Sequence, residues 1–227
     1  MRINMDKNFT RRKWPAFSGL SLLFMFWSCG VLAQLPPECG TLDNHFGPFD
    51  YRAPPQGSLL KVEEAHFDAN VAKLEKHAKC KRNKSKCSPV KSDLTYTLNV
   101  FPNHHRALVA MTQYHLFGLN RDQGNMRFSA ECYFRRAIEF RPDDAAVRMI
   151  HAYYLSEKGK PDRARGEYEM ALELAPDSAE VNYNAGLFFL EVNDIEKARE
   201  CAIRAYDLGH PLPGLRNGLT AKGVSLD

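Results

Sequence analysis

Ala164-Arg165-Gly166-Glu167-Tyr168-Glu169-Met170-Ala171-Leu172-Glu173-Leu174-Ala175-Pro176 decides how this chain folds, because its small and closing residues return at a fixed interval. Ala164, Ala171 and Pro176 stand 34 residues after Ala130, Ala137 and Pro142. Another 34 residues on, Ala198 and Ala205 return, and His210 beside Pro211 takes the closing position. Such a period describes stacked helix hairpins. The alanines let neighbouring helices approach closely, and a single hairpin cannot bury its apolar face without a neighbour. Proline ends the second helix of each unit, because it lacks an N–H donor and disfavours helical geometry in the residue before it.

Working outward, two repeats of standard length cover 145–178, turning at Gly159-Lys160-Pro161-Asp162, and 179–212, turning at Asn193-Asp194. Before them, helices are expected over 105–118 and 126–140. Pro102 and Pro142 are 40 residues apart, so the turn between these helices carries about six extra residues. Upstream, helices over 59–66 and 68–78, with Asp68 as N-cap of the second, and over 94–101, closed by Pro102, make a degenerate hairpin spanning 59–104. Residues 34–58 hold Pro36, Pro37, Gly40, Gly47, Pro48, Pro54, Pro55 and Gly57, too many breakers for a helix, so they form an extended arm. The arm's aromatics, in Phe46-Gly47-Pro48-Phe49-Asp50-Tyr51, are expected to pack on the first helices. A terminal hairpin exposes a face, so 213–227, with Leu215 and Leu219, is read as a capping helix and tail.

The segment Glu180-Val181-Asn182-Tyr183-Asn184-Ala185-Gly186-Leu187-Phe188-Phe189, followed by Ala198, Ala202, Ala205 and Leu208, resembles the tetratricopeptide repeat (TPR) family. So does 145–178, through Ala164, Tyr168, Ala171, Leu172 and Pro176, and the resemblance spans about half of the chain. Two shorter stretches, Cys39-Gly40-Thr41-Leu42 through Gly47-Pro48-Phe49-Asp50-Tyr51-Arg52 and Phe101-Pro102-Asn103-His104-His105-Arg106, are similar to pieces of secreted bacterial TPR proteins, with no activity attached. The fold expected is therefore all-α: a TPR solenoid of about three repeats plus the degenerate hairpin, with arm and cap.

The resemblance implies binding rather than chemistry, on a concave surface lined by first-helix residues. Carried over, these are Arg106, Val109, Ala110, Gln113 and Leu116; Met149, Ile150, Tyr153 and Glu157; and Glu180, Tyr183, Asn184, Leu187 and Glu191. Arg106, Val109, Gln113, Met149, Tyr153, Tyr183, Asn184 and Leu187 are the expected partner-binding residues, with the two tyrosines as anchors for an extended peptide or helix. The alternative for each is a place in the core between repeats. Arg106 and Asn184 alone cannot rebuild the basic clamp by which chaperone-binding TPR domains grip a peptide carboxylate.

The other end of the chain carries an address. Arg2, Lys7, Arg11, Arg12 and Lys13 precede an apolar run from Phe17 and the small-residue pattern Val31-Leu32-Ala33, so 1–33 is read as a signal peptide cleaved before Gln34. The alternative, an uncleaved anchor, is disfavoured because the 17 residues from Phe17 to Ala33 fall short of the roughly 20 a spanning helix needs. Cys29 follows bulky Phe26 and Trp27, a poor context for lipid attachment. The whole chain has 31 basic and 27 acidic residues; 1–33 holds five of the former and one of the latter, leaving 26 of each. A neutral mature chain without a basic, aromatic-rich recognition motif argues against nucleic acid as a partner. The lysine-rich run 73–91 is read as a solvated loop, with contact to an anionic surface as the alternative.

Five cysteines follow the signal. Cys80 and Cys87 bracket the basic loop and are the expected disulfide. Cys132 and Cys201, two repeats apart, are beyond each other's reach and are read as small buried apolar residues. Cys39 is left free, paired with a loop cysteine, or available to another chain. No metal or cofactor is expected: His77, Cys80 and Cys87 lack a fourth ligand. His105 and His115 are about 15 Å apart along a helix, and His104 and His105 read as cap or packing residues, which leaves His66 without a cluster to join. No nucleophile elbow, phosphate loop or zinc-protease motif is present, so an enzyme is not expected. The expected protein is a non-enzymatic TPR binding module or assembly scaffold, secreted to the periplasm or cell surface, with a protein or peptide partner. The alternatives are a self-associating subunit of a surface assembly and, behind it, a metal-dependent protein using the histidines.

Overall fold

A computed structural model describes residues 35–68, 90–118 and 126–226, which contain nine α-helices and no strand. Residues 1–34, which include the expected signal peptide, residues 69–89, which include the expected second helix and the expected Cys80–Cys87 disulfide, and residues 119–125 lie outside the described residues. A 3-10 turn at Pro37–Cys39 opens the arm, followed by α1 (Ser58–Val62) running directly into a π-helical stretch, Glu63–Phe67. Asp68 keeps a helical backbone (φ −63°, ψ −41°), so it continues this helix and does not cap a second one as the sequence suggested; an N-cap needs extended geometry. Then come α2 (Val90–Val100), α3 (His105–Leu116), α4 (Ala130–Phe140), α5 (Ala145–Glu157), α6 (Pro161–Leu174), α7 (Ala179–Glu191), α8 (Ile195–Asp207) and α9 (Gly214–Thr220).

Local chemistry sets these boundaries. Ser129, Asp144, Ser178 and Asp194 cap α4, α5, α7 and α8, each side chain accepting a backbone N–H from the first turn. Pro161 starts α6, where its missing N–H costs nothing. The α5–α6 and α7–α8 turns pass through the left-handed region at Gly159 (φ 73°) and Asn193 (φ 63°), the residue types that tolerate it. Each of these helix pairs packs as a hairpin, and α7 packs on both α5 and α6, so consecutive hairpins stack.

The recurring alanines occupy the closest contacts. Ala130 is 2% exposed, and Ala137, Ala164, Ala171, Ala198 and Ala205 are fully buried, which fixes the 34-residue register. Glycine extends the same logic at Gly186 on α7. A Cβ there would stand 2.4 Å from Leu215 Cδ2 and 3.1 Å from Cys201 Cβ, so α9 seats on the last hairpin only because this position has no side chain. Leu215 and Leu219 are fully buried beneath it, closing the apolar face that the terminal hairpin would otherwise expose.

Two cysteine readings are corrected. Cys39 is bonded to Cys132, with Cα atoms 5.0 Å apart, tying the arm to the first turn of α4. The 3-10 turn packs on α4, so tertiary packing rather than sequence proximity brings these sulfurs together across 93 residues. Cys132 is therefore a bridge and not a lone apolar residue, and Cys39 is not free. Cys201 keeps its apolar role as a buried thiol, its pKa pushed up to about 12 by burial.

Candidate functional site

The expected groove residues divide into three groups. Met149, Tyr183 and Asn184 are buried. Tyr183 stacks on His210 with ring centroids 3.8 Å apart, and the Asn184 amide donates to the Glu180 carbonyl one turn back on the same helix. Arg106 is exposed but engaged: it donates to Glu63 Oε1 and Asp68 Oδ1, each at 3.1 Å, and lies 4.6 Å from the centroid of the Phe67 ring. Its guanidinium fastens the π-helical stretch and Asp68 after it to the start of α3. Val109, Gln113, Tyr153 and Leu187 remain half-buried.

Gln113, Tyr153 and Leu187 are one position seen in three repeats. They stand 40 and then 34 residues apart, as do the starts of α3, α5 and α7 at His105, Ala145 and Ala179. One turn further along each helix, Phe117, Glu157 and Glu191 form a second, exposed row. The two rows communicate electrostatically. Burial, with the carboxylates of Glu157 and Glu191, pushes the Tyr153 pKa up to about 12, so its hydroxyl stays protonated. What this surface can do chemically is hold an apolar group against Tyr153 and Leu187 with a hydrogen-bonding phenol and amide beside it and negative charge along one edge.

The arm segment 39–52 and the stretch 101–106 meet in space. Gly47 brings the arm onto the end of α2: with φ 114°, a Cβ on it would lie 2.8 Å from the Val100 carbonyl oxygen. Two residues on, the Phe49 N–H donates to that same oxygen at 2.8 Å. Phe49 packs on Phe101, and Tyr51 stacks on His104 at 4.2 Å, as expected of the arm's aromatics. Below them Asn103 is fully buried and satisfied on both ends. Its oxygen accepts from the Tyr51 N–H, and its amide donates to Asp50 and to Asp144, the cap of α5.

Asp144 accepts also from His105 Nε2 at 2.9 Å, so one carboxylate binds the arm, α3 and α5. Burial alone would raise its pKa; the His105 and Asn103 hydrogen bonds reverse this and hold it low. His104 Nδ1 accepts the Ala107 N–H as the cap of α3, which leaves its proton on Nε2, facing Glu63 at 3.2 Å. Burial, with Arg106 and His105 nearby, lowers its pKa to about 3. His104 is thus a neutral hydrogen-bonding group, and His105 ties α3 to the cap of α5, so both belong to a structural junction. Among the described residues, no three His, Cys, Asp or Glu side chains are placed to share a metal ion.

Sequence reading passed over two buried basic side chains. His151 on α5, 3% exposed, sits between Glu167 Oε1 at 3.2 Å and Glu131 Oε2 at 3.5 Å, joining α4, α5 and α6. Burial opposes its charge, but the two carboxylates outweigh it and hold its pKa above the ordinary value. Arg136 on α4, also 3% exposed, reaches the arm. In the next repeat their positions hold Ala185 and Met170, so the period does not single them out. Comparison with known protein families and with curated proteins finds no match for this chain.

Proposed function

We propose that this protein is a secreted, non-enzymatic binding module of TPR type, which holds an extended peptide or a partner helix along Gln113, Tyr153 and Leu187. The observation that carries the reading is that equivalent positions of three successive hairpins stay half-buried in one row, while their buried neighbours Met149, Tyr183 and Asn184 complete the core. Tyr153 is the aromatic anchor, and Tyr183 is reassigned to packing. Glu157 and Glu191 beside it favour a partner with a basic residue next to its apolar one. A secreted location agrees with the Cys39–Cys132 disulfide, since such bonds persist in oxidising compartments. Among the described residues no helix is long and apolar enough to cross a membrane.

The test is site-specific photocrosslinking. A photoreactive amino acid in place of Gln113 or Leu187, activated in whole cells, is expected to capture one discrete envelope protein, and the same probe at exposed Glu173 on α6 is not. Capture only of another copy of this chain would instead favour the self-assembling subunit. Absence of any adduct at both positions refutes the groove.

A further inference from the structure

Arg136 is a buried cation that no carboxylate neutralises among the described residues. Its Nη1 donates to the Cys39 carbonyl at 3.0 Å and to the Thr41 carbonyl, and its Nη2 donates to Asn99 Oδ1 at 3.3 Å. All three acceptors are neutral, and Nε has no partner among the described residues. The planar group lies 4.9 Å from the centroid of the Phe128 ring, and Arg127 lies 5.0 Å from the same centroid. Two guanidinium groups on one ring repel each other, and with burial they lower the Arg136 pKa. Leaving a buried charge uncompensated is costly unless something of opposite sign reaches it.

A space for such a group lies beside it. A cavity of about 80 Å³ is bounded by Arg136, Arg127, Asn99 and Asn44, several times the roughly 10–15 Å³ that one water requires. Asp43 stands on its wall but is exposed and pairs with neither arginine. A second cavity of about 340 Å³ shares Asn99 and Arg127 with the first, and is lined further by Lys91, Thr95, Tyr96 and Met126. Tyr96 is 39% exposed there, a large ring with one side open.

We infer that this cleft between the arm, α2 and α4 binds a small organic anion, whose carboxylate or phosphate sits between Arg127 and Arg136 and whose apolar body lies along Tyr96. Guanidinium groups suit both head groups, because their planar N–H donors match two oxygens at once. The Asn44 and Asn99 amides add neutral polar contacts, and Lys91 supplies a third cation at the mouth. The site shares no residue with the proposed groove and is independent of that reading.

The test follows the Arg136 Nε–H resonance by nitrogen-15 NMR on the full protein with its disulfide intact. It is titrated separately with inorganic phosphate, phenyl phosphate and benzoate, at constant ionic strength maintained with chloride. Phenyl phosphate or benzoate is expected to shift the resonance saturably, with a dissociation constant of about 1 mM or below. Which of the two binds more tightly identifies the head group. Arg127→Gln, an exposed change, should weaken binding at least about tenfold, one charge-assisted hydrogen bond's worth, and Tyr96→Ala should weaken the phenyl ligands but not inorganic phosphate. Lys222→Gln, remote in the turn after the last helix, should change nothing. A resonance that does not saturate, binding that survives Arg127→Gln, or phenyl phosphate no tighter than inorganic phosphate overturns the inference.

Discussion

Replacing both Cys39 and Cys132 by alanine removes one covalent bond and very little volume, since these side chains are small and 1% and 5% exposed. The bond closes a loop across a sequence separation of 93 residues. Constraining an unfolded chain over about that length removes loop-closure entropy worth about 4–5 kcal/mol at room temperature. Little of this is recovered in the folded state, because Arg136 and the Phe49, Tyr51 and Asn103 contacts hold the arm in place without the bond. A domain of this size loses about 2–4 °C in Tm per kcal/mol, so the expected fall is about 8–20 °C. The assay is urea and thermal unfolding of wild type and the double variant under oxidising conditions, followed by circular dichroism. Using the variant rather than a reductant leaves Cys80 and Cys87 untouched. Unreduced peptide mapping of the wild type should recover Cys39 linked to Cys132. A double variant within about 1 kcal/mol of wild type would show that the bond does not constrain the unfolded chain, and a map pairing Cys39 with Cys80 or Cys87 would refute the topology itself.

Gly186→Val should overpack the seat of α9 against Leu215 and Cys201 and cost about 1–3 kcal/mol in urea unfolding. Tyr183→Ala should cost about 3–5 kcal/mol as a buried aromatic truncation, whereas Tyr153→Ala combined with Leu187→Ala should cost less and weaken partner capture. The two buried histidines give opposite pH slopes. His151, with its pKa raised, contributes stability in full below the ordinary value of 6.5, and that contribution is lost as pH rises through its folded pKa; His151→Gln should flatten this limb of the Tm profile. His104, with its pKa lowered to about 3, is stabilising as the neutral form above 6.5, and its contribution falls away as pH drops from 6.5 toward 3, a limb that His104→Gln should flatten.

How much of this was legible beforehand follows from the range over which each interaction acts. The 34-residue return of Ala130, Ala164 and Ala198 determined the helix hairpins and their stacking, because close packing between neighbours repeats the same steric demand in every unit. Turn chemistry at Gly159 and Asn193, and the apolar spacing of Leu215 and Leu219, were likewise local signals, and all three stand where their residues place them. The same carry-over could nominate first-helix residues but could not separate Tyr153 from Tyr183. That division depends on His210, which stacks on one tyrosine from just beyond the second helix of the same hairpin. The tertiary structure alone decided that Cys39 meets Cys132, that Asp50 and Asp144 share Asn103, and that Arg136 lies buried against the arm. Each of these joins residues some 40 to 97 positions apart and occurs once in the chain, so no period or motif encodes it. Repetition makes a solenoid's backbone readable from its sequence, whereas its unrepeated contacts depend on which surfaces the stacked hairpins bring face to face.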